Sequence, residues 1–396
     1  MQLIGVALKG VGTLLRDWLG ELIGRSLPFR PEQVLLPDTL NRLLNDGALP
    51  TWQGPADIRG VVLQDVPSVS SNCQNLILSI QQSEPASLPA SLFVKVPMES
   101  LATRWFFTVI NSWQLESYFF RHVAPTLPLR LPRTYATAYR GGRFYLVQEN
   151  LHEDVEVSLF TNLDMIQGPS IEKVRGCLDT LACLHATHYG LTESEQDHLL
   201  PRSMHLFLSP TMGRTARSLN RMALKPCMAR CPGVIPENVR LDYLRTMSHW
   251  DDLLHHWFSG PLSLLHGDSH LGNFFVSGTE TGMLDWQAAH WGKGVRDVQY
   301  FLINSLPADF LADNEQELVS YYVSRCSHYG VAVDFEETWE QYRGFTFHTL
   351  MTIVVSIGFG ALNEEQDQLM AEILRRAIAA IGRVDYHDWL DDLLSK

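Results

Sequence analysis

Asp268 and Asn273 lie five positions apart, and a second carboxylate, Asp285, follows twelve residues later. They sit in the run Leu264-Leu265-His266-Gly267-Asp268-Ser269-His270-Leu271-Gly272-Asn273-Phe274-Phe275-Val276 and in Met283-Leu284-Asp285-Trp286. Two acids and an amide in this order suit phosphoryl transfer from ATP to a hydroxyl. That reaction needs a carboxylate beside the acceptor oxygen, and further oxygen ligands that hold Mg²⁺ against the phosphates. In this reading Asp268 is the catalytic residue that accepts or orients the hydroxyl proton. Asn273 gives the metal a neutral carbonyl oxygen, and Asp285 gives it a carboxylate that bridges to the triphosphate. His266 is expected to brace the loop backbone, and Gly267 to let the loop pack closely. H-G-D alone is common in ordinary turns, and an Asp after apolar residues often only ends a strand. The ordered combination carries the inference.

These groups need elements to position them. Phe274-Phe275-Val276 and Met283-Leu284 flank the turn-rich Ser277-Gly278-Thr279-Glu280-Thr281-Gly282. That pattern predicts a β-hairpin with Asn273 and Asp285 brought side by side. Upstream, Ser91-Leu92-Phe93-Val94-Lys95-Val96-Pro97 reads as an apolar strand carrying one lysine. Lys95 is expected to reach the α- and β-phosphates, held by Glu116 on a helix predicted over Leu101 to Val123. The phosphate-cradling segment is Pro67-Ser68-Val69-Ser70-Ser71-Asn72-Cys73-Gln74-Asn75. It has no glycine, so Ser70, Ser71 and Asn72 would supply hydroxyl, amide and main-chain donors instead.

The order H-x-D, Asn five residues on, then Asp after a hairpin is the order protein kinases use. The chain resembles the aminoglycoside phosphotransferase and choline kinase superfamily, whose loop reads H-G-D-x-x-x-x-N and whose metal strand ends in D-W or D-F. Asp285-Trp286-Gln287 and Gly294-Val295-Arg296-Asp297-Val298-Gln299-Tyr300-Phe301-Leu302 look like the ecdysteroid-kinase-like subgroup and its bacterial relatives. Leu181-Ala182-Cys183-Leu184-His185-Ala186 and Glu116-Ser117-Tyr118-Phe119-Phe120 match two of the superfamily's helices. The resemblance runs over roughly residues 37 to 390.

It implies an α+β, protein-kinase-like two-lobe fold, with a small β-rich N-lobe and a larger, mainly helical C-lobe. It implies ATP and Mg²⁺ as cofactors. It also implies a hinge at Arg143 to Leu151, where main-chain groups of Glu149 and Leu151 meet the adenine. A small-molecule alcohol would then sit in the helical lobe facing Asp268. Its candidate walls are residues 203–231, which include Met204, Phe207, Met212, Met222 and Met228, and the helix from Tyr342 to Gly360. Trp286, Gln287, His290 and His270 are further candidates for acceptor contact, against the plain alternative that the apolar residues are core.

Net charge is −13, from 31 Lys+Arg against 44 Asp+Glu, and no basic run stands out, so nucleic acid is not an expected partner. The acidic balance is compatible with cationic acceptors such as aminoglycosides. The D-W-Q signature pulls instead toward hydroxy acids, sugars or sterols, and a kinase-fold binding protein without catalysis is the remaining alternative. There is no A-P-E-type segment after Asp285, which argues against protein substrates. The six cysteines are scattered without a C-x-x-C pair, which predicts reduced thiols in a cytoplasmic protein.

Three regions are expected: an extension over 1–36, a nucleotide-binding lobe over 37–149 and a helical lobe over 150–396. In the extension, Leu8, Val11, Leu15, Trp18 and Leu22 recur at helical spacing and predict an amphipathic helix. It is too interrupted by charge to span a bilayer or serve as a signal peptide. Packing on the body, a homodimer contact and a reversible membrane-surface contact are its possible uses. Its charges nearly cancel, which weighs against strong lipid attraction.

Overall fold

The computed structural model describes residues 2–22, 27–28, 30–52, 54–65, 73–83, 87–204, 213–360 and 364–395. Ser70, Ser71 and Asn72 of the expected phosphate segment, and Phe207 and Met212 of the expected acceptor wall, lie outside the described residues. The chain divides into two compact units, 1–126 with 131–158 and 284–288, and 127–130 with 159–283 and 289–396. The architecture is α+β, as the sequence predicts.

The first unit holds a five-stranded sheet in the order β1-β2-β3-β5-β4. Its strands are β1 (Ile58–Asp65), β2 (Cys73–Gln82), β3 (Ser91–Pro97), β4 (Thr134–Arg140) and β5 (Arg143–Glu149), paired antiparallel throughout. Alternation decides what each face carries. Leu92, Val94 and Val96 of β3 join Leu76 and Leu78 of β2 and Tyr145 and Val147 of β5 in one buried cluster. Helices α1 (Gln2–Leu22), α2 (Pro31–Val34) and α3 (Pro37–Asp46) precede the sheet. α3 closes the cluster with Leu40, Leu43 and Leu44. Each such side chain, fully buried, contributes about 1.5–3 kcal/mol. Lys95 falls between Val94 and Val96, so it stands on the other face, in register with Asn75 and Leu146.

The single helix predicted over Leu101 to Val123 is two: α4 (Leu101–Val109) and α5 (Ser112–Tyr118), the latter running into a π-helical turn, Phe119–Val123. The break is at Asn111, whose φ of 59° is left-handed and cannot continue a right-handed helix. α1 packs on α4, where a Cβ at Gly10 would meet Val109 Cγ2 at 2.6 Å.

The second unit is mainly helical: α6 (Asn162–Gln167), α7 (Ile171–Thr187), α8 (Glu193–Leu199), α9 (Gly213–Arg230), α10 (Glu237–Ser248) and α11 (Trp250–Phe258), then α12 (Val295–Ser305), α13 (Ala308–His328), α14 (Phe335–Phe359), α15 (Glu364–Arg383) and α16 (Tyr386–Ser395). α14 runs 25 residues through its middle, against α9, α12 and α15. α12 is buried along its whole length. Between α11 and α12, β6 (Ser263–Leu265) pairs antiparallel with β9 (His290–Gly292). β7 (Phe274–Ser277) and β8 (Glu280–Met283) form the predicted hairpin, tighter than expected, with only Gly278 and Thr279 between the strands. Gly278 takes the positive φ of 59° that such a short loop demands. Among the described residues no helix is long and apolar enough to cross a membrane.

Candidate active site

In the first unit, β3 and α5 bring Lys95 and Glu116 together. The ammonium lies 2.8 Å from Glu116 Oε1 and 3.0 Å from Asp285 Oδ1. Both residues of the Lys95–Glu116 pair are buried. Burial opposes the charge on Lys95, but the two carboxylates outweigh it and hold the amine protonated well above its ordinary range. Burial also pushes the Glu116 carboxyl up, against the pull of Lys95. Cys73, at the start of β2, is electrostatically coupled to the same trio, and burial keeps its thiol protonated. It is therefore not a nucleophile here.

Asp285 has a left-handed backbone, with φ at 65°. That conformation costs a non-glycine residue roughly 1–2 kcal/mol, so its surroundings must hold it. Lys95 binds one carboxylate oxygen, and Gln287 Nε2 donates to the other at 3.4 Å. Ser112 Oγ donates in turn to Gln287 Oε1 at 2.9 Å. Trp286 is fully buried and stacks on Phe119, with centroids 4.1 Å apart and planes 8° from parallel. The sequence suggested Trp286 and Gln287 as acceptor contacts. Trp286 is core instead, while Gln287, partly buried, orients Asp285. Trp286→Ala should therefore destabilise the protein by about 3–5 kcal/mol, the usual cost of emptying a buried tryptophan site. Urea unfolding followed by circular dichroism measures it.

In the second unit, the loop after β6 is tied down by α12. Asp297, on the first turn of α12, accepts the backbone N–H of His266 at 2.6 Å and of Gly267 at 3.1 Å. Ser269 Oγ donates to the Asp297 carbonyl at 2.8 Å, and Ser305 Oγ accepts Leu271 N–H at 3.0 Å. Gly267 has φ of 86°, which lets the chain turn there at no steric cost. His266 braces the loop as expected, its Nδ1 3.3 Å from Asp268 N. Asp268 emerges partly exposed, and Tyr300 OH donates to its Oδ1 at 3.1 Å. Asn273 Nδ2 donates to the Asp268 carbonyl at 2.7 Å, which fixes the amide and leaves Oδ1 as its available acceptor.

The family model that matches the chain is that of the ecdysteroid kinase-like family, over residues 70–329. The chain belongs to this family. This ecdysteroid kinase-like protein is accordingly an enzyme of the phosphotransferase class. Its structure is similar to that of an ethanolamine kinase from Plasmodium vivax, with a TM-score of 0.50 and 10% identity over 82% of this chain and 81% of that one. It is also similar to a choline/ethanolamine kinase family protein from Mesorhizobium loti, with a TM-score of 0.47 and 14% identity over 88% of this chain and 96% of that one. At such identities the first likeness is one of fold. No curated protein matches the chain.

Other expected residues of the ecdysteroid kinase-like protein fall out differently. Glu149 N–H is spent on the Arg133 carbonyl at 2.9 Å, and Glu149 Oε1 accepts Arg133 N–H at 2.7 Å. His290, a further candidate for acceptor contact, is buried in β9, opposite Leu265. His270 Nε2 lies 3.9 Å from Asp268 Oδ2.

Sequence reasoning missed Asp297, Tyr300 and Arg296. Arg296 is buried between the Gly267 carbonyl, 3.4 Å from Nη2, and His348 Nε2, 2.8 Å from the same nitrogen. The available signal was the Arg296-Asp297 pair at the head of α12.

Proposed function

We propose that this protein is an ATP- and Mg²⁺-dependent O-phosphotransferase that moves the γ-phosphoryl group to a hydroxyl of a small molecule. The observation that carries the reading is the buried Lys95, shared between Glu116 and Asp285. A lysine held charged in a dry site, with a second acid beside it, matches the needs of a triphosphate.

The donor chemistry also fits the metal. Asn273 Oδ1 and the Asp285 carboxylate would hold it, both oxygen ligands suited to a hard dication. When bound, the ion neutralises charge on the triphosphate. Lys95 donates to the α- and β-phosphate oxygens, with Glu116 keeping it extended from β3. Asp268 accepts the proton of the acceptor hydroxyl as that oxygen bonds to the γ-phosphorus. The bond from the γ-phosphorus to the bridging oxygen breaks, and ADP leaves with the electron pair. Tyr300 holds the Asp268 carboxylate in one orientation. In the sequence reading Ser70, Ser71 and Asn72 would supply the remaining phosphate contacts, and main-chain groups of Glu149 and Leu151 would meet the adenine.

The family's name favours a polyhydroxylated, sterol-like acceptor over a polycationic antibiotic. The six free thiols fit a reducing cytoplasm. A screen of sterols, sugars, hydroxy acids and aminoglycosides with labelled ATP tests the acceptor; transfer to none of them would leave a binding protein as the better reading. Asp285→Ala should weaken Mg·ATP binding by about ten- to a hundredfold, from the loss of a charge-assisted contact. Calorimetric titration measures that. ATP at a hundred times its Kd should stabilise the native protein by about 2.7 kcal/mol, and only with Mg²⁺ present.

A further inference from the structure

Among the described residues, nothing packs over an apolar stripe on the outer face of α1. Leu8, Val11, Leu15, Trp18, Leu19 and Leu22 recur three or four residues apart, and each is between 47% and 66% exposed. A stripe this size on a packed helix is not the scattered exposure of single apolar residues that needs no explanation. The charges of α1 are sorted around it. Both acids face the body of the first unit. Asp17 is buried, its Oδ2 accepting Gly142 N–H at 2.6 Å and lying 3.8 Å from Arg104. Glu21 pairs with the buried Arg143 at 2.8 Å. Arg16 remains exposed beside the stripe. The near-cancellation of charge along this segment therefore does not hold in three dimensions. The acids are consumed inward, and the outer face offers apolar side chains, an interfacial tryptophan and basic charge.

We propose that α1 docks this protein onto the surface of an anionic lipid bilayer, lying in the interface plane with the stripe in the acyl boundary. Amphipathic helices with aliphatic and tryptophan residues on one side and basic residues on the flank bind in this way. The whole-chain charge of −13 does not prevent it. Repulsion from distant acids is screened within about 8–10 Å, while Arg16 meets the headgroups directly. A second copy of the chain would gain nothing from that basic flank, since the flank would face its own like.

The test is co-sedimentation of the full chain with vesicles of phosphatidylcholine alone and of phosphatidylcholine with phosphatidylserine. Binding is expected on the mixed vesicles, reduced severalfold on the neutral ones and in high salt. Leu15→Asp with Leu19→Asp should abolish it, and Arg16→Glu should lower it on mixed vesicles only. Urea midpoints should stay unchanged in both variants, because these side chains are outside the packed face. Failure to sediment with either vesicle overturns the proposal. So does a concentration-dependent dimer in light scattering that the double variant breaks, which would assign the stripe to a second copy. Equal binding to both vesicle types would overturn the role of the basic flank.

Discussion

Asp268→Ala is expected to lower kcat by about 10²–10⁴-fold, the usual share of a positioned general base, while Kd for Mg·ATP changes little. Asp268 contributes no ligand to the triphosphate in the proposed scheme. Its environment is built to present one carboxylate: Tyr300 OH holds Oδ1, and Asn273 Nδ2 holds its carbonyl. Asp268→Asn should be nearly as damaging, because the amide keeps the shape but cannot take a proton. Tyr300→Phe gives the internal comparison. It removes one hydrogen bond and leaves the base, so its loss should be a few-fold. Steady-state rates with the true acceptor, beside nucleotide titration of each variant, separate these outcomes. Near-normal turnover by Asp268→Ala would overturn the assignment of the base.

The parts of this site that were legible in the sequence share a physical property. Each is a polar residue interrupting an apolar strand, or ending one, and strands reveal their faces through a period of two. Lys95 between Val94 and Val96 is of this kind, and so is the hairpin, whose register pairs Phe274 with Met283. The pairing of Lys95 with Glu116 followed from chemistry, since a buried ammonium requires an anion. What could not be read is equally specific. α12 is buried on every side, yet in the sequence Arg296, Asp297 and Tyr300 look like polar surface residues of an ordinary helix, and only the Arg-Asp pair at its head hints otherwise. The break at Asn111 is invisible because helical spacing of apolar residues continues on both sides of it. The inward turn of Asp17 and Glu21 depends on Arg104, Gly142 and Arg143, which are over eighty residues away in the chain.

Asp297 should matter to stability as much as to rate. It has no solvent exposure, and it satisfies two backbone N–H groups of the catalytic loop and His185 Nε2, at 3.4 Å, with Arg296 Nη1 3.6 Å away. Burial alone would raise its pKa. The bond from His185 and the nearby positive groups win, and the carboxyl sits below its ordinary range. Asp297→Ala leaves those donors buried and unpaired, which should cost about 3–5 kcal/mol. It also frees the backbone on either side of Gly267, so kcat should fall even though Asp297 touches no substrate. The sign of the pH dependence follows from the depressed pKa. The stabilisation is fully present above the unfolded-state pKa and is lost as pH falls through the folded-state value. Wild-type stability should therefore drop steeply below the ordinary carboxylate range. Asp297→Asn, already lacking the charge, should be less stable at neutral pH and converge on wild type in acid. Urea midpoints of both proteins, taken from neutral to acidic pH, decide it. Parallel curves would mean that the carboxylate carries no ionic stabilisation, and that α12 holds the loop by packing alone.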